Sequence, residues 1–318
     1  MIPSRRPVPR RLTKVLVPAL LVAILAGESP GQWIDDPAID VTVRRGIDHV
    51  YNLEFYDAGI AFDSVIRARP DHPAGHFFRA MIQWWRILTN FDDRSQDTRF
   101  LSLLDQVIAL CDERLKKDPD DLTALFFKGG SLGFRGRLRA NRGSWVLAAK
   151  DGIAALPIVQ RAYRLDPGNF DILLGIGIYN YYADVIPAQY PIVKPFMVFF
   201  PSGDRKTGFD QLRQASEHAR YAHIEASYFL MQSAYLYEKD FTIAHELAAR
   251  LHSRFPGNPL FHRYLGRSLV SLGKWGEAFR VFQEIERCFG ERRIGYDAFD
   301  GREAYFYLGR YYFITGSW

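Results

Sequence analysis

The sequence predicts an all-α fold in which pairs of helices stack into a solenoid, and an internal repeat is the first reason. Four segments align on a proline that is followed by Asp or Gly, by a polar residue and then by an apolar stretch. A small residue stands ten places after each proline: the pairs are Pro70 and Ala80, Pro119 and Gly129, Pro167 and Gly177, and Pro256 and Gly266. Pro, Asp, Asn and Gly favour a turn, so each segment marks the start of a helix that a neighbouring helix can approach closely.

The second reason is the helix that precedes each turn. An alanine is followed four and seven places later by apolar residues, which keeps the three side chains on one helical face. The copies are Ala58, Phe62 and Val65; Ala155, Val159 and Ala162; Ala244, Ala248 and Leu251; and Ala278, Phe282 and Ile285. Two such helices cannot bury their apolar faces alone, so successive pairs must stack on one another.

We expect six helix pairs and one final helix between residues 41 and 315. The pairs are predicted at 41–54 and 56–68, 74–89 and 97–117, 121–134 and 144–165, 169–183 and 204–220, 223–238 and 240–254, and 258–272 and 275–288, with the last helix at 301–315. No stretch indicates a strand-rich domain.

This pattern resembles the tetratricopeptide repeat, whose signature is W-x2-LG-x2-Y, then A-x3-F-x2-A, then P. The best first halves are Tyr305-x2-Leu308-Gly309-x2-Tyr312 and His262-x2-Leu265-Gly266-x2-Leu269, and the second continues to Ala278 and Phe282. The repeat spacing is 34 residues from Ala222 to Pro256 but 49 and 48 across the three N-terminal prolines, so a family profile is expected to miss the N-terminal half. The resemblance implies a right-handed superhelical solenoid whose concave groove binds protein or peptide partners.

Residues 1–31 are expected to be a signal peptide and leader, ahead of a helical repeat domain at 32–318. Five basic residues precede an apolar run of 12, Val15–Ala26, which is short for a membrane span and is followed by small residues. The five basic residues account for the whole net charge of +5, because the rest of the chain carries 36 basic and 36 acidic residues. We therefore expect no nucleic-acid partner and an exported, periplasmic or secreted protein, with an uncleaved membrane anchor as the alternative.

A proline-rich apolar insert is expected at 184–203, between the helices of the fourth pair. Prolines at 187, 191, 195 and 201 argue against a long helix there. The large apolar side chains favour burial as a cover over the groove, or docking to a partner or a membrane surface. The candidate docking residues are Tyr190, Phe196, Phe199 and Phe200.

A narrower resemblance involves the stretches on either side of this insert. Gly175–Tyr182 and Gly203–Leu212 are similar to the inclusion-body-clearance family of tetratricopeptide proteins and its bacterial relatives. That resemblance implies association with outer membranes or lipid droplets. It brings no catalytic residues.

Aromatic residues recur at fixed places along the first helices. When each unit is numbered so that its small residue is position eight, position thirteen is aromatic in five successive units, and position twelve is aromatic in some of them. In the resembled fold these positions face the concave groove, so the candidate partner-binding residues are Tyr51, Trp84, Trp85, Phe134, Tyr181, Tyr182 and Tyr237. They either stack on a bound peptide, sugar or ring, or fill the space between adjacent first helices.

The sequence carries no recognisable catalytic or metal-binding motif. HExxH and the Walker-type phosphate loop do not occur, and the pairs His72–His76 and His245–His252 show no third ligand. GxSxG occurs at 27–31 and at 129–133, but in a chain predicted to be all-helical neither copy has the preceding strand that a nucleophile elbow requires. We therefore expect no enzyme activity, no metal and no cofactor. Both cysteines are expected to be isolated buried thiols; they are Cys111 and Cys288.

Four arginines form the densest basic patch of the chain: Arg135, Arg137, Arg139 and Arg142. They are expected in a loop between the helices of the third pair. There they either bind an anionic partner through charge-assisted hydrogen bonds or are neutralised by nearby acids.

These features predict an exported tetratricopeptide-type scaffold that binds a protein or peptide in an aromatic-lined concave groove. One alternative is a peripheral membrane or lipid-associated repeat protein that uses the insert. Another is a helical-repeat enzyme acting on glycans, which requires the first and last pairs to close and two acids to face one cavity.

The last predicted helix matches the first helix of a repeat, and residues 315–318 match the turn at 272–275 that leads into a second helix. Without that second helix, the last one exposes an apolar side, whereas solenoids normally finish with a polar capping element. We therefore expect either that the protein continues beyond Trp318 or that this helix docks onto another subunit.

Expression of the chain in a bacterium that exports it should give a mature N-terminus between Gly27 and Gln32, because small residues suited to signal cleavage stand there. Intact mass spectrometry of the exported fraction measures this directly. An exported protein that retains Met1 would instead identify residues 1–31 as an anchor.

Overall fold

The computed structural model describes residues 33–198 and 200–316, and within them the chain forms helices and no β-strand. The helices are α1 (Pro37–Tyr51), α2 (Phe55–Ala68), α3 (Pro73–Thr89), α4 (Asp97–Lys117), α5 (Leu122–Asn141), α6 (Trp145–Leu165), α7 (Phe170–Gln189), α8 (Lys194–Met197), α9 (Arg205–His218), α10 (His223–Ser233), α11 (Phe241–Arg254), α12 (Pro259–Ser271), α13 (Trp275–Gly290) and α14 (Ala298–Thr315). A 3-10 turn at Pro191–Val193 leads into α8, and a π-helical turn at Ala234–Glu238 ends α10. The signal peptide predicted at 1–31 lies outside the described residues.

The helices pair in chain order and the pairs stack into a solenoid, which confirms the predicted fold class. α1 packs on α2, α3 on α4, α5 on α6, α7 on α9, α10 on α11 and α12 on α13. Each second helix also contacts the first helix of the next pair, and α14 packs on α13. Among the described helices, none combines the length and the apolar character that crossing a bilayer requires.

The repeated turn motif determines where the first helices begin. Its third residue is the N-cap in all four copies, with a side chain that accepts a hydrogen bond from an amide of the first turn: His72, Asp121, Asn169 and Asn258. These amides have no carbonyl partner inside the helix, so a side-chain cap stabilises the start. The sequence pattern therefore encodes the helix start as well as the turn before it.

The small residue of the repeat permits the close helix contact that the sequence predicts. A Cβ at Gly266 would lie 2.7 Å from the Phe282 ring, and one at Gly129 would lie 2.8 Å from the Val159 side chain. Both distances are too short for a side-chain contact, so a larger residue would push the two helices of the pair apart.

Two helices begin earlier than predicted. α1 begins at Pro37, where Asp36 caps the first turn and proline needs no hydrogen-bond partner for its nitrogen. α14 begins at Ala298, where Asp297 and Asp300 form a capping box. Along α14 several large apolar side chains are exposed, as expected for the last predicted helix; they are Tyr305, Phe306, Tyr312, Phe313 and Ile314.

α7 continues further than the sequence predicts, to Gln189 instead of 183, and Pro187 lies inside it. The prediction that prolines exclude a long helix there was therefore wrong for Pro187. A proline in a helix removes one backbone hydrogen bond, but burial of Val185 in the same turn offsets that cost. The insert consequently begins after the helix, near Tyr190.

α5 is also longer than predicted and ends at Asn141. Three arginines of the basic patch, at 135, 137 and 139, consequently lie on a helix, and the fourth, Arg142, is its C-cap residue. The prediction of an arginine-bearing loop was wrong, because side chains from neighbouring helices pair with these arginines and hold them in helical register. The two cysteines are buried and free, as predicted.

The superhelix is tight enough for α1 to contact the turns that precede α10 and α12. The Tyr221 hydroxyl donates to the Asp40 carboxylate at 2.7 Å, and the Asn258 side-chain amide donates to the Tyr51 carbonyl at 2.8 Å. One hydrophobic core therefore joins α1–α5 to α7 and α10–α12. We call this contact between α1 and the two turns the closure.

Asp40 is the buried charge at the closure. It is 1% exposed, and Arg44 and Arg220 each lie 2.9 Å from its carboxylate. Burial raises the Asp40 pKa, but the hydrogen bonds from Arg220 and Tyr221 and the arginine charges outweigh burial and hold the pKa below its usual 3.8. A carboxyl with a lowered pKa stabilises the fold above its unfolded pKa, and this contribution is lost as the pH falls through the folded value.

Asp40→Asn should lower the free energy of unfolding by about 2–4 kcal/mol at neutral pH, because it breaks a buried ion pair. Asp48→Asn is the matched control: Asp48 also links α1 across the closure, to Arg254, but both groups are half exposed, so its loss should stay below about 1 kcal/mol. Urea unfolding measures both. The Asp40→Asn deficit should begin to shrink as the pH falls below about 3.8, where Asp40 of the unfolded chain takes up a proton, and should disappear below the lowered pKa of the folded protein. Equal losses for the two variants would contradict the assignment.

Candidate functional site

A cavity of about 650 Å³ lies inside the superhelix, where the first helices of five successive pairs meet. Its wall consists of residues from α1, α3, α5, α7 and α10, together with α6. Most of the lining is apolar. This volume falls in the range of about 300–1,000 Å³ that is typical of pockets for drug-sized ligands.

Five of the seven predicted partner-binding aromatics lie on this wall: Tyr51, Trp85, Phe134, Tyr182 and Tyr237. They are the residues at position thirteen of their units. The rings of Tyr51 and Trp85 meet edge-on with centroids 4.9 Å apart, and those of Tyr182 and Tyr237 do so at 5.9 Å. Tyr51 and Trp85 are buried, whereas the other three are partly exposed. Their role in binding stays a prediction.

The two residues at position twelve are turned away from the cavity. Trp84 stacks on Phe100 of α4 with ring centroids 5.5 Å apart, and Tyr181 packs near Phe209 of α9 at 6.1 Å. Both are fully buried. One residue of helix corresponds to about 100° of rotation, which directs position twelve toward the second helices while position thirteen faces the cavity. Trp84 and Tyr181 therefore fill the space between helices.

An acidic side chain of α10 interrupts the apolar wall. Glu225 of α10 is buried, accepts a hydrogen bond from the Tyr51 hydroxyl at 2.8 Å and faces Arg137 of α5 at 3.4 Å. Burial raises the Glu225 pKa, although Arg137 and the Tyr51 hydrogen bond act against that rise. The cavity wall thus holds one hydrogen-bonded acid–base pair in apolar surroundings.

Arg137 is the arginine of the predicted patch that lies on the cavity wall. Its guanidinium stands over the rings of Trp84 and Phe229, 5.0 Å and 4.4 Å from their centroids. Its contacts with Glu225 and with Gln232 are both 3.4 Å, which is long for a hydrogen bond. A guanidinium has five N–H donors, so Arg137 can bind a ligand carboxylate or carbonyl while the aromatic wall packs against the rest.

The other three arginines of the patch are neutralised by acids on neighbouring helices. Arg135 and Arg139 both donate to the buried Asp151 of α6, each at 2.7 Å. Arg142 donates to Asp97 of α4 at 2.8 Å. These pairs fix α5 against α4 and α6. Of the two alternatives for the patch, neutralisation by nearby acids therefore holds for these three arginines.

A second carboxyl on the wall belongs to Asp171 of α7. It accepts hydrogen bonds from the Trp33 indole at 2.6 Å and from the amides of Tyr221 and Ala222 at 2.9 and 2.8 Å. Burial raises its pKa, and these hydrogen bonds oppose the rise. Asp171 therefore ties the N-terminal segment and the turn before α10 to α7. The alternative of a glycan-acting enzyme stays a prediction.

The insert reaches the cavity through Phe200. A Cβ at Gly152 of α6 would lie 3.1 Å from the Phe200 ring, and Phe200 forms part of the cavity wall. The Tyr179 hydroxyl donates to the carbonyl of Pro201, which holds this end of the insert against α7. Tyr190 is exposed. Phe199 and the side chain of Phe196 lie outside the described residues.

Sequence reasoning missed Glu225 as a member of the site. Its signal was present, because a single acid stands inside the apolar stretch Ile224–Met231. Glutamate is rarely buried unless it is paired, so an acid in such a stretch indicates a specific partner. That partner, Arg137, lies 88 positions away, and no local pattern connects the two.

Helix pairs that stack in chain order around a cavity with an apolar wall define a helical-repeat protein. Residues 233–292 match the tetratricopeptide repeat family. The match spans α11, α12 and α13, in the C-terminal half of the chain. This part of the chain is therefore similar to the tetratricopeptide repeat, and the stacked helix pairs of the other described residues have a matching architecture. A search of curated proteins found no match, and the narrower resemblance to the inclusion-body-clearance family stays a prediction.

Trp85→Ala should lower the free energy of unfolding by about 3–5 kcal/mol, because its buried ring packs on Tyr51, Tyr228 and Phe261. Tyr56→Ala is the control, since Tyr56 is 79% exposed and should lose less than about 0.5 kcal/mol. Urea unfolding measures both variants. A small loss for Trp85→Ala would place this ring outside the core.

Proposed function

We propose that this protein is an exported scaffold that binds an apolar segment of a protein or peptide partner in the cavity. A carboxylate or carbonyl of that segment binds to Arg137. The proposal rests on one observation. Aromatic side chains surround the Arg137 guanidinium, and its two hydrogen-bonding contacts, with Glu225 and Gln232, are both 3.4 Å long.

The cavity suits a short segment of a partner. Burial of apolar surface contributes about 25 cal/mol per Å², and interface aromatics that are buried in pockets contribute most of the affinity. The half-buried rings of Phe134, Tyr182 and Tyr237 retain surface for such contacts. Arg137 also orients the bound segment, because a planar guanidinium binds a carboxylate in one orientation.

A second candidate function is contact with a membrane surface through the insert. Val198 is 84% exposed and Tyr190 is also exposed, and the two stand in the same short segment. Apolar side chains at such positions can enter the interface between lipid headgroups and acyl chains. The experiment below distinguishes this function from binding in the cavity.

Gly133→Leu tests the cavity without removing a contact. Gly133 lies on the cavity wall one helical turn before Arg137, and a Cβ there would have no atom within 4 Å. The leucine should project into the cavity, and it should favour the helix by roughly 0.5–1 kcal/mol. Gly309→Leu in α14 is the matched control, because its Cβ would also have open space but lies away from the cavity.

Envelope proteins captured by the purified parent should be lost with Gly133→Leu and retained with Gly309→Leu. Quantitative mass spectrometry of the captured fractions measures this, and urea unfolding confirms that both variants are folded. Vesicle flotation of the same proteins and of Val198→Asp tests the second candidate. Equal capture by all variants would contradict the proposal that partners bind in the cavity. If the parent floats with vesicles and Val198→Asp does not, the membrane function is supported.

A further inference from the structure

Three side chains with metal-binding atoms converge in the C-terminal repeats, outside the cavity. His252 lies on α11, His262 on α12 and Glu284 on α13, and one possible ligand atom from each lies within 4.8 Å of the others. The two imidazole rings stack with centroids 4.1 Å apart and planes 17° from parallel, so the partly exposed His252 ring must turn before both in-plane lone pairs can point at one ion. None of the three belongs to the cavity wall.

The two imidazoles direct unsatisfied nitrogens into the protein. His262 is 1% exposed, and neither its Nε2 nor the buried Nδ1 of His252 has a hydrogen-bond partner among the described residues. A buried polar atom without a partner is unfavourable unless a bound group supplies the missing interaction. The nearest Glu284 oxygen is 3.9 Å from His262 Nε2, too far for a hydrogen bond.

That gap is close to what an ion would require. With bonds of about 2.1 Å and tetrahedral angles, two ligand atoms on one zinc ion lie roughly 3.4 Å apart. The observed separations are wider: the ligand atoms lie within 4.8 Å of one another, and His262 Nε2 is 3.9 Å from Glu284. Glu284 is an exposed side chain that can rotate toward the two rings. Arg287 reaches Glu284 at 3.4 Å, but this pair is half exposed and is easily exchanged for an ion.

A hydrogen bond to a neighbouring side chain also orients the His262 ring. The Nδ1 atom of His262 lies 2.9 Å from the Tyr296 hydroxyl oxygen, which can accept a hydrogen bond from Nδ1–H and so leave the lone pair on Nε2. An outer hydrogen bond of this kind orients metal-bound histidines in many sites.

We propose that His252, His262 and Glu284 form a binding site for a divalent transition-metal ion, with zinc favoured by the two imidazoles and one carboxylate. Three protein ligands leave a fourth coordination position on the ion. Water can reach this position from the side of Glu284, which is exposed. Because the ligands come from three successive helices, a bound ion joins α11, α12 and α13. The ion therefore stabilises the C-terminal repeats, independently of what the cavity binds.

The test uses the full protein without an affinity tag, since tag histidines bind zinc, after treatment with a chelator. Calorimetric titration with ZnCl₂ should show one equivalent bound, and titration with CoCl₂ should give the visible absorption of a tetrahedral cobalt site. His252→Asn and Glu284→Gln should each weaken zinc binding by more than about tenfold, and Tyr296→Phe by about 10–100-fold. Glu286→Gln, two residues along the same helix, is the matched control and should bind as the parent does.

Thermal unfolding provides a second readout of the same site. Zinc should raise the melting temperature of the parent and of Glu286→Gln, and it should raise those of His252→Asn and Glu284→Gln clearly less at the same zinc concentration. Absence of a bound equivalent at micromolar zinc would overturn the proposal. So would binding that persists unchanged in His252→Asn and Glu284→Gln, because the ion would then occupy other residues.

Discussion

The contact of α1 with the turns before α10 and α12 is the constraint on which the rest of the structure depends. It joins segments about 180 residues apart through the buried Asp40 and the Tyr221 hydroxyl. Asp171 reinforces the contact by accepting hydrogen bonds from the Trp33 indole and from the turn before α10. Without this closure the first helices would line an open groove. With it, they surround a cavity, and the aromatic positions of five successive units face a common space.

The closure and the candidate site share residues. The Tyr51 carbonyl accepts the closing hydrogen bond from Asn258, while its hydroxyl donates to Glu225 on the cavity wall. Glu225 in turn faces Arg137, the group that we assign to the partner. Since these polar groups are buried, each depends on the position of the next. Arg137 is thereby linked to the fit of α1 against the C-terminal half through a short chain of contacts.

Buried polar contacts join the helices in both halves of the solenoid. In the N-terminal half, long helices are joined by buried ion pairs, such as the pair of arginines on Asp151. In the C-terminal repeats, the regular spacing brings polar side chains of three successive helices into register on one face. His252, His262 and Glu284 meet there, and two of their nitrogens have no hydrogen-bond partner among the described residues. A bound ion would add to the buried ion pairs of these repeats, which join Arg263 to Asp300 and Arg267 to Glu303.

The sequence by itself determined the helix pairs, the capped turns at residues such as Asp121 and Asn169, and the face that position thirteen presents. These follow from turn chemistry and from the rotation per residue, both of which are local. Only the tertiary structure decided that Trp84 lies in the core, that α7 continues through Pro187, and that Glu225 pairs with Arg137. These depend on the pitch of the superhelix and on burial between helices distant in sequence, which no local pattern contains.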